Sequence, residues 1–192
     1  LSDGMSADVG AVHVLSGLNG SVLYTFNGVS AGDHFGWSVS GAGDVNNDGY
    51  SDIIIGAPLA DSNGVDSGFV YVFSIEDFSS LFSLHGDSAG DNFGWSVSDA
   101  GDVNGDGYGD VIIGAPLDDN SGVDGGSARV VSGSNGSILS AFNGVGAGDH
   151  FGLSVSGAGD VNGDSYGDVI VGAPLNDGNG TDSGGAYIYS GN

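Results

Sequence analysis

The sequence predicts an all-β chain assembled from repeated four-stranded units. Three observations predict it. The string Asp-Val-Asn-x-Asp-x-Tyr-x-Asp recurs at 44–52, 102–110 and 160–168, so its starts at 44, 102 and 160 fix a period of 58 residues. Each copy runs into an apolar stretch that closes on Gly-Ala-Pro. Between these marks, short runs of β-formers stand where a helix would need capped stretches of helical period.

Each element follows in order. Phe35–Ser40 alternates large and small residues, as a half-buried first strand does. The acidic loop 44–52 comes next. Ile53-Ile54-Ile55-Gly56-Ala57 is a continuous apolar run, the pattern of a second strand covered on both faces, and Pro58 stops it. A Gly/Asp/Ser/Asn loop spans 59–68. Phe69–Phe73 forms a third strand of β-formers, and a fourth lies near Leu81–Leu84, with counterparts at Val22–Phe26 and Ile138–Phe142. Gly41-Ala42-Gly43, Ala100-Gly101 and Gly157-Ala158-Gly159 precede the acidic loops. They suit either crowding near an axis or a tight turn.

Four hairpin-connected antiparallel strands per repeat match the blade of a β-propeller, which packs both faces against neighbours. Leu1 is in phase with Leu59, Leu117 and Leu175. The repeats therefore run 1–58, 59–116 and 117–174, with a partial copy at 175–192, read as one segment over 1–192. In strand terms the chain opens on strands three and four of a blade, continues through two whole blades, and reaches strands one to three of another. About three blades are fewer than the ~4–8 of a closed ring. The expectation is a partial propeller whose open edges pair with a second copy.

Composition narrows the partners. The formal charge is −24, with a single basic residue, Arg129. Nucleic acid and anionic membranes are excluded, because both need Lys and Arg to replace counterions. Such an imbalance calls for cations to neutralise it. Three acids lie in each motif loop, and a second acidic phase comprises Asp3, Asp8, Asp61, Asp66, Asp118, Asp119, Asp124, Asp177 and Asp182. There is no Cys, so disulfides are excluded, and no apolar run is long enough to insert into a membrane.

The motif is a set of oxygen donors at alternate positions. Asp44, Asn46 and Asp48 offer side-chain oxygens, Tyr50 its backbone carbonyl, and Asp52 closes the set. Gly49 allows the sharp turn. The second set is Asp102, Asn104, Asp106, Tyr108 and Asp110; the third is Asp160, Asn162, Asp164, Tyr166 and Asp168. Because only the carbonyl of the seventh residue serves, the Tyr side chain matters little on this reading. Ca²⁺ tolerates such an irregular all-oxygen cage, whereas Mg²⁺ demands a near-ideal octahedron. An EF-hand carries Glu at position twelve between helices; here that position is Ile55, Ile113 or Val171, inside a strand. Ser165 replaces the turn glycine in the third loop, which predicts a weaker third site.

With these residues in view, the chain resembles the FG-GAP repeat of integrin α-subunit propellers. Phe35-Gly36, the acidic loop and Gly56-Ala57-Pro58 carry the resemblance, and Phe93-Gly94 with Gly114-Ala115-Pro116, and Phe151-Gly152 with Gly172-Ala173-Pro174, repeat it. It implies a propeller with about three Ca²⁺ sites between first and second strands. It also implies that loops 59–68, 117–126 and 175–184 lie on the opposite face, where integrins recognise partners. Those propellers usually have seven blades, so this chain departs in length. The near-identity of its copies looks more like a bacterial surface protein or a consensus repeat array.

Other residues point to packing. His34 and His150 are equivalent to Asn92, so they share no metal or catalytic role. Asp33, Asp91 and Asp149 fit turns that bond local backbone. Trp37 and Trp95 align with Leu153, which favours packing over sugar stacking. No catalytic constellation stands out, so the expectation is a non-enzymatic, secreted or surface module for adhesion or protein interaction, stabilised by Ca²⁺. The alternatives are a carbohydrate-binding, lectin-like propeller or accessory domain of a polysaccharide-acting enzyme, and a pure repeat scaffold. The second acidic phase leaves open further ions in loops 59–68, 117–126 and 175–184.

Overall fold

The computed structural model describes residues 9–191. Leu1, Asp3 and Asp8 lie outside them. The described residues form thirteen strands and no helix, grouped in four antiparallel sheets. A two-stranded sheet holds β1 (Ala11–Leu15) and β2 (Val22–Asn27). Blade I follows, with β3 (Ser38–Gly43), β4 (Asp52–Ala57), β5 (Phe69–Phe73) and β6 (Ser80–His85) in sequential order. Blade II repeats it with β7 (Ser96–Gly101), β8 (Asp110–Ala115), β9 (Ser127–Val131) and β10 (Ile138–Asn143). The last sheet holds β11 (Ser154–Gly159), β12 (Asp168–Ala173) and β13 (Gly185–Tyr189). This is an open, partial β-propeller, in which β1 and β2 stand in the repeat phase of β5 and β6.

The core lies in the seams between sheets. Ile54, Val70 and Val72 of blade I meet Val97, Val111, Ile113 and Val131 of blade II. Ile112, Ala128 and Val130, on the other face of blade II, meet Phe151, Val169 and Val171. Ile53 and Ile55 turn the opposite face of β4 toward Phe26 and Phe35. The second strand is apolar throughout because each of its faces belongs to a different seam. Neighbouring blades meet so closely that a Cβ on Gly56 would lie 2.1 Å from the Gly94 carbonyl oxygen. Ser38 Oγ donates to that same oxygen at 2.7 Å. The Gly of Phe-Gly in one blade thus seats on the Gly of Gly-Ala-Pro in the blade before.

The first strand begins three residues later than the sequence predicts. His34 and Gly36 adopt left-handed backbone, with φ of 56° and 86°, so Phe35–Trp37 forms a turn and the strand runs 38–43. His34, Asn92 and His150 share that conformation, at φ of 56°, 54° and 51°. Asn tolerates it well, and the shared role is a turn. Both readings of the small residues before the loops hold. Gly43, Gly101 and Gly159 have φ of 71°, 74° and 71° at register shifts in the ladders. Gly157 is crowded instead, since a Cβ there would lie 2.7 Å from the Asp99 carbonyl oxygen on the neighbouring inner strand.

Candidate metal centre

Each motif loop leaves its inner strand through that bulge and returns along the buried second strand. In the first loop, Asp44 Oδ1 and Asn46 Oδ1 both accept from the Asp48 amide, at 2.9 and 3.0 Å. Asp44 Oδ2 accepts from the Gly49 amide at 2.8 Å, and Asp48 Oδ1 from the Tyr50 amide at 2.8 Å. Asn46 Nδ2 donates to Asp48 Oδ2 at 2.7 Å. The side chains at positions one and three therefore turn inward onto the position-five amide, and that of position five onto the position-seven amide. Asp102, Asn104 and Asp106 repeat these bonds, as do Asp160, Asn162 and Asp164. The sixth position is left-handed in all three, with φ of 91° at Gly49, 87° at Gly107 and 76° at Ser165.

The closing aspartates are buried. Asp52 Oδ2 accepts from the Val45 amide at 3.1 Å and Oδ1 from the Ile75 amide at 3.2 Å. Asp110 receives Val103 and Gly133 in the same way, and Asp168 receives Val161 and Gly191. Asp52 and Asp110 thus join their loops to the hairpin between the third and fourth strands, and Asp168 joins its loop to the residues that follow β13. Burial pushes the Asp110 carboxyl up to about 6, and the charges of Asp106 and Asp102 add to the rise. Burial raises Asp52 in the same direction.

Among the described residues no positive group offsets these carboxylates. The chain's lone Arg129 is buried in β9 and committed elsewhere. Its guanidinium forms a two-point pair with Asp87, lies 4.0 Å from the buried Asp118, and sits 5.0 Å over the Phe93 ring. Its counterparts in the repeat are His13, Tyr71 and Tyr187. Among the described residues no three His, Cys, Asp or Glu side chains are grouped as a ready metal cluster. The donors still fit a hard cation. Each loop supplies oxygens alone, carries three carboxylates without a counterion, and turns on a left-handed residue.

The tyrosine at position seven has a use that its spacing hides. A Cβ at Gly105 would lie 2.6 Å from Tyr166 Cε1, so that ring packs on the preceding loop. Tyr50 has no such neighbour among the described residues and is 56% exposed. The pattern is one-sided in the other direction too. Val45 and Val103 are buried by the blade that follows, while Val161 is 55% exposed.

The loops after Gly-Ala-Pro lie at the opposite ends of the strands. Their acids are satisfied locally: Asp61, Asp119 and Asp177 accept from the amides of Asp66, Asp124 and Asp182. Asp91 and Asp149 accept from Ser88 and Gly146, as the turn reading requires. A cleft of about 420 Å³ opens on this face between Val29, Asp33, Ala60, Asp61 and Tyr71. Trp37 packs on Trp95 with ring centroids 4.8 Å apart, although Trp37 stays 52% exposed.

Seams of paired glycines and a repeated blade plan define this class as a repeat-built β-propeller. The FG-GAP repeat model matches residues 35–73, 93–131 and 151–189, and the chain belongs to that family. Integrin alpha-5 of Xenopus laevis is 35% identical over 185 residues, covering 85% of this chain and 17% of the relative. Integrin alpha-3 of Cricetulus griseus is 36% identical over 183 residues, covering 86% and 17%. Integrin alpha-PS5 of Drosophila melanogaster is 35% identical over 166 residues, covering 79% and 16%. The chain thus spans about a sixth of the length of these relatives. Among the described residues no helix is long and apolar enough to cross a membrane.

Proposed function

We propose that this chain is a Ca²⁺-stabilised, non-enzymatic propeller module for adhesion or protein interaction in an extracellular or surface protein. One observation carries the reading. Three loops with the same hydrogen-bond pattern each turn Asp and Asn oxygens onto the position-five amide and the position-five Asp oxygen onto the position-seven amide, with no counterion among the described residues to neutralise them. Asp44, Asn46, Asp48, Asp52 and the Tyr50 carbonyl would hold the first ion. Asp102, Asn104, Asp106, Asp110 and the Tyr108 carbonyl would hold the second, and Asp160, Asn162, Asp164, Asp168 and the Tyr166 carbonyl the third. The ions are structural: each offsets clustered charge and holds the turn between the inner strand and its neighbour. The interaction face is then the opposite one, where loops 59–68, 117–126 and 175–184 and the cleft beside Tyr71 are free of that task. The integrin relationship supports a protein ligand there.

Thermal melts with Ca²⁺ and with EDTA test the reading. Ca²⁺ at about a hundred times Kd adds about 2.7 kcal/mol per site. At ~2–4 °C per kcal/mol for a domain of this size, that is roughly 5–10 °C for each loop. Asp48→Ala should remove the first loop's share. Identical melts in Ca²⁺ and in excess EDTA would overturn the proposal.

A further inference from the structure

Successive motif loops are joined by one repeated hydrogen bond. The Gly109 amide donates to the Asp44 carbonyl oxygen at 2.8 Å, and the Gly167 amide donates to the Asp102 carbonyl oxygen at 2.8 Å. Each acceptor is the backbone of a loop's first acid. Each donor belongs to the peptide unit that joins positions seven and eight of the next loop. That unit also carries the carbonyl of Tyr108 or Tyr166, the position-seven donor. The peptide is planar and trans, so its N–H and C=O point in opposite directions. A bond that holds the N–H therefore aims the carbonyl and polarises it toward a cation.

The sequence is adapted to this approach. A Cβ on Gly109 would lie 3.0 Å from the Asp44 nitrogen, and one on Gly167 would lie 2.6 Å from the Ala100 carbonyl oxygen. Ser51 holds the same position in the first loop, which has no such bond among the described residues.

We propose that the three cation sites are coupled positively and in series through these Tyr–Gly peptides. The inference rests on reading the loops as Ca²⁺ sites. A cation that fixes Asp44 also fixes the acceptor that orients the Tyr108 carbonyl, and Asp102 does the same for Tyr166. Coupling of this kind is reciprocal, so each loop assists its neighbours on both sides. Its sign sets it apart from plain electrostatics. On a chain of charge −24, each bound Ca²⁺ lowers the negative potential and weakens the next site.

The test is a Ca²⁺ titration of the intact chain, followed by amide NMR at Gly49, Gly107 and Ser165, each reporting its own loop. Asp48→Asn, which disables the first loop, should raise the midpoint at Gly107 about five-fold or more and move Ser165 less. Asp164→Asn, in the exposed third loop, should raise Gly107 more than Gly49 and covers the case in which the first variant fails to fold. A Gly107 midpoint that stays put or falls overturns the coupling, and equal shifts in near and far loops overturn its route. If no loop of the unaltered chain responds to Ca²⁺, the calcium reading itself fails, a different result from independent filling.

Discussion

Gly133 lies just past β9 at the seam between blades I and II, and a single methyl group there should be costly. A Cβ would sit 1.9 Å from the Gly109 carbonyl oxygen and 2.8 Å from Val45 Cβ. Neither obstacle is a flexible side-chain end: one is backbone, and Val45 is 1% exposed. The φ of Gly133 lies outside the left-handed region, so the substitution tests space alone. Overpacking costs about 1–3 kcal/mol where neighbours can yield. Here the whole seam must shift, so the upper value of about 3 kcal/mol applies, or roughly 6–12 °C in Tm. The Gly133 amide also caps Asp110 Oδ1 at 3.1 Å, so loop two should lose Ca²⁺ affinity before loop one does. Gly17→Ala is the control: nothing lies within 4 Å of its Cβ. It should change stability by less than about 1 kcal/mol. Melts by circular dichroism in EDTA compare the two without calcium linkage. If Gly133→Ala melts together with Gly17→Ala, the seam is not packed as described.

Two further outcomes follow from the loops. Ser165→Gly relieves a left-handed Ser at φ 76°. That is worth about 1 kcal/mol, so the third loop should bind Ca²⁺ about five-fold more tightly, and an unchanged midpoint at residue 165 would refute the strain. In EDTA, Asp110 titrates at about 6 in the folded chain, above its unfolded value of about 3.9. The folded state holds the extra proton between these values, so this group's contribution to stability is present below about pH 4 and lost as pH rises through 6. Asp110→Asn should flatten the fall of Tm over that window, and parallel slopes for both chains would refute the assignment.

Periodicity made part of this molecule legible and hid another part, for a physical reason. A repeat states which residues are equivalent, and equivalence was enough to place four strands per blade, the doubly covered second strand and the left-handed sixth position of each loop. It does not state which copies touch. The contacts that join blades run from one copy to the next, as Tyr166 does to Gly105, Gly109 to Asp44 and Arg129 to Asp87. Their signal lies in the breaks of the pattern. Ser51 stands where Gly109 and Gly167 recur, and Ile75 where Gly17, Gly133 and Gly191 recur. Both breaks fall in blade I, whose motif loop has no loop packed before it among the described residues, and both put a side chain where the copies in the sheets that follow, at Gly109, Gly167, Gly133 and Gly191, have no room for one. Arg129 breaks the pattern in the opposite sense, placing a guanidinium where His13, Tyr71 and Tyr187 stand and so binding blade II to the loop after β6. In a chain of near-identical blades, the aperiodic residues are the ones that tell each blade which neighbour it has.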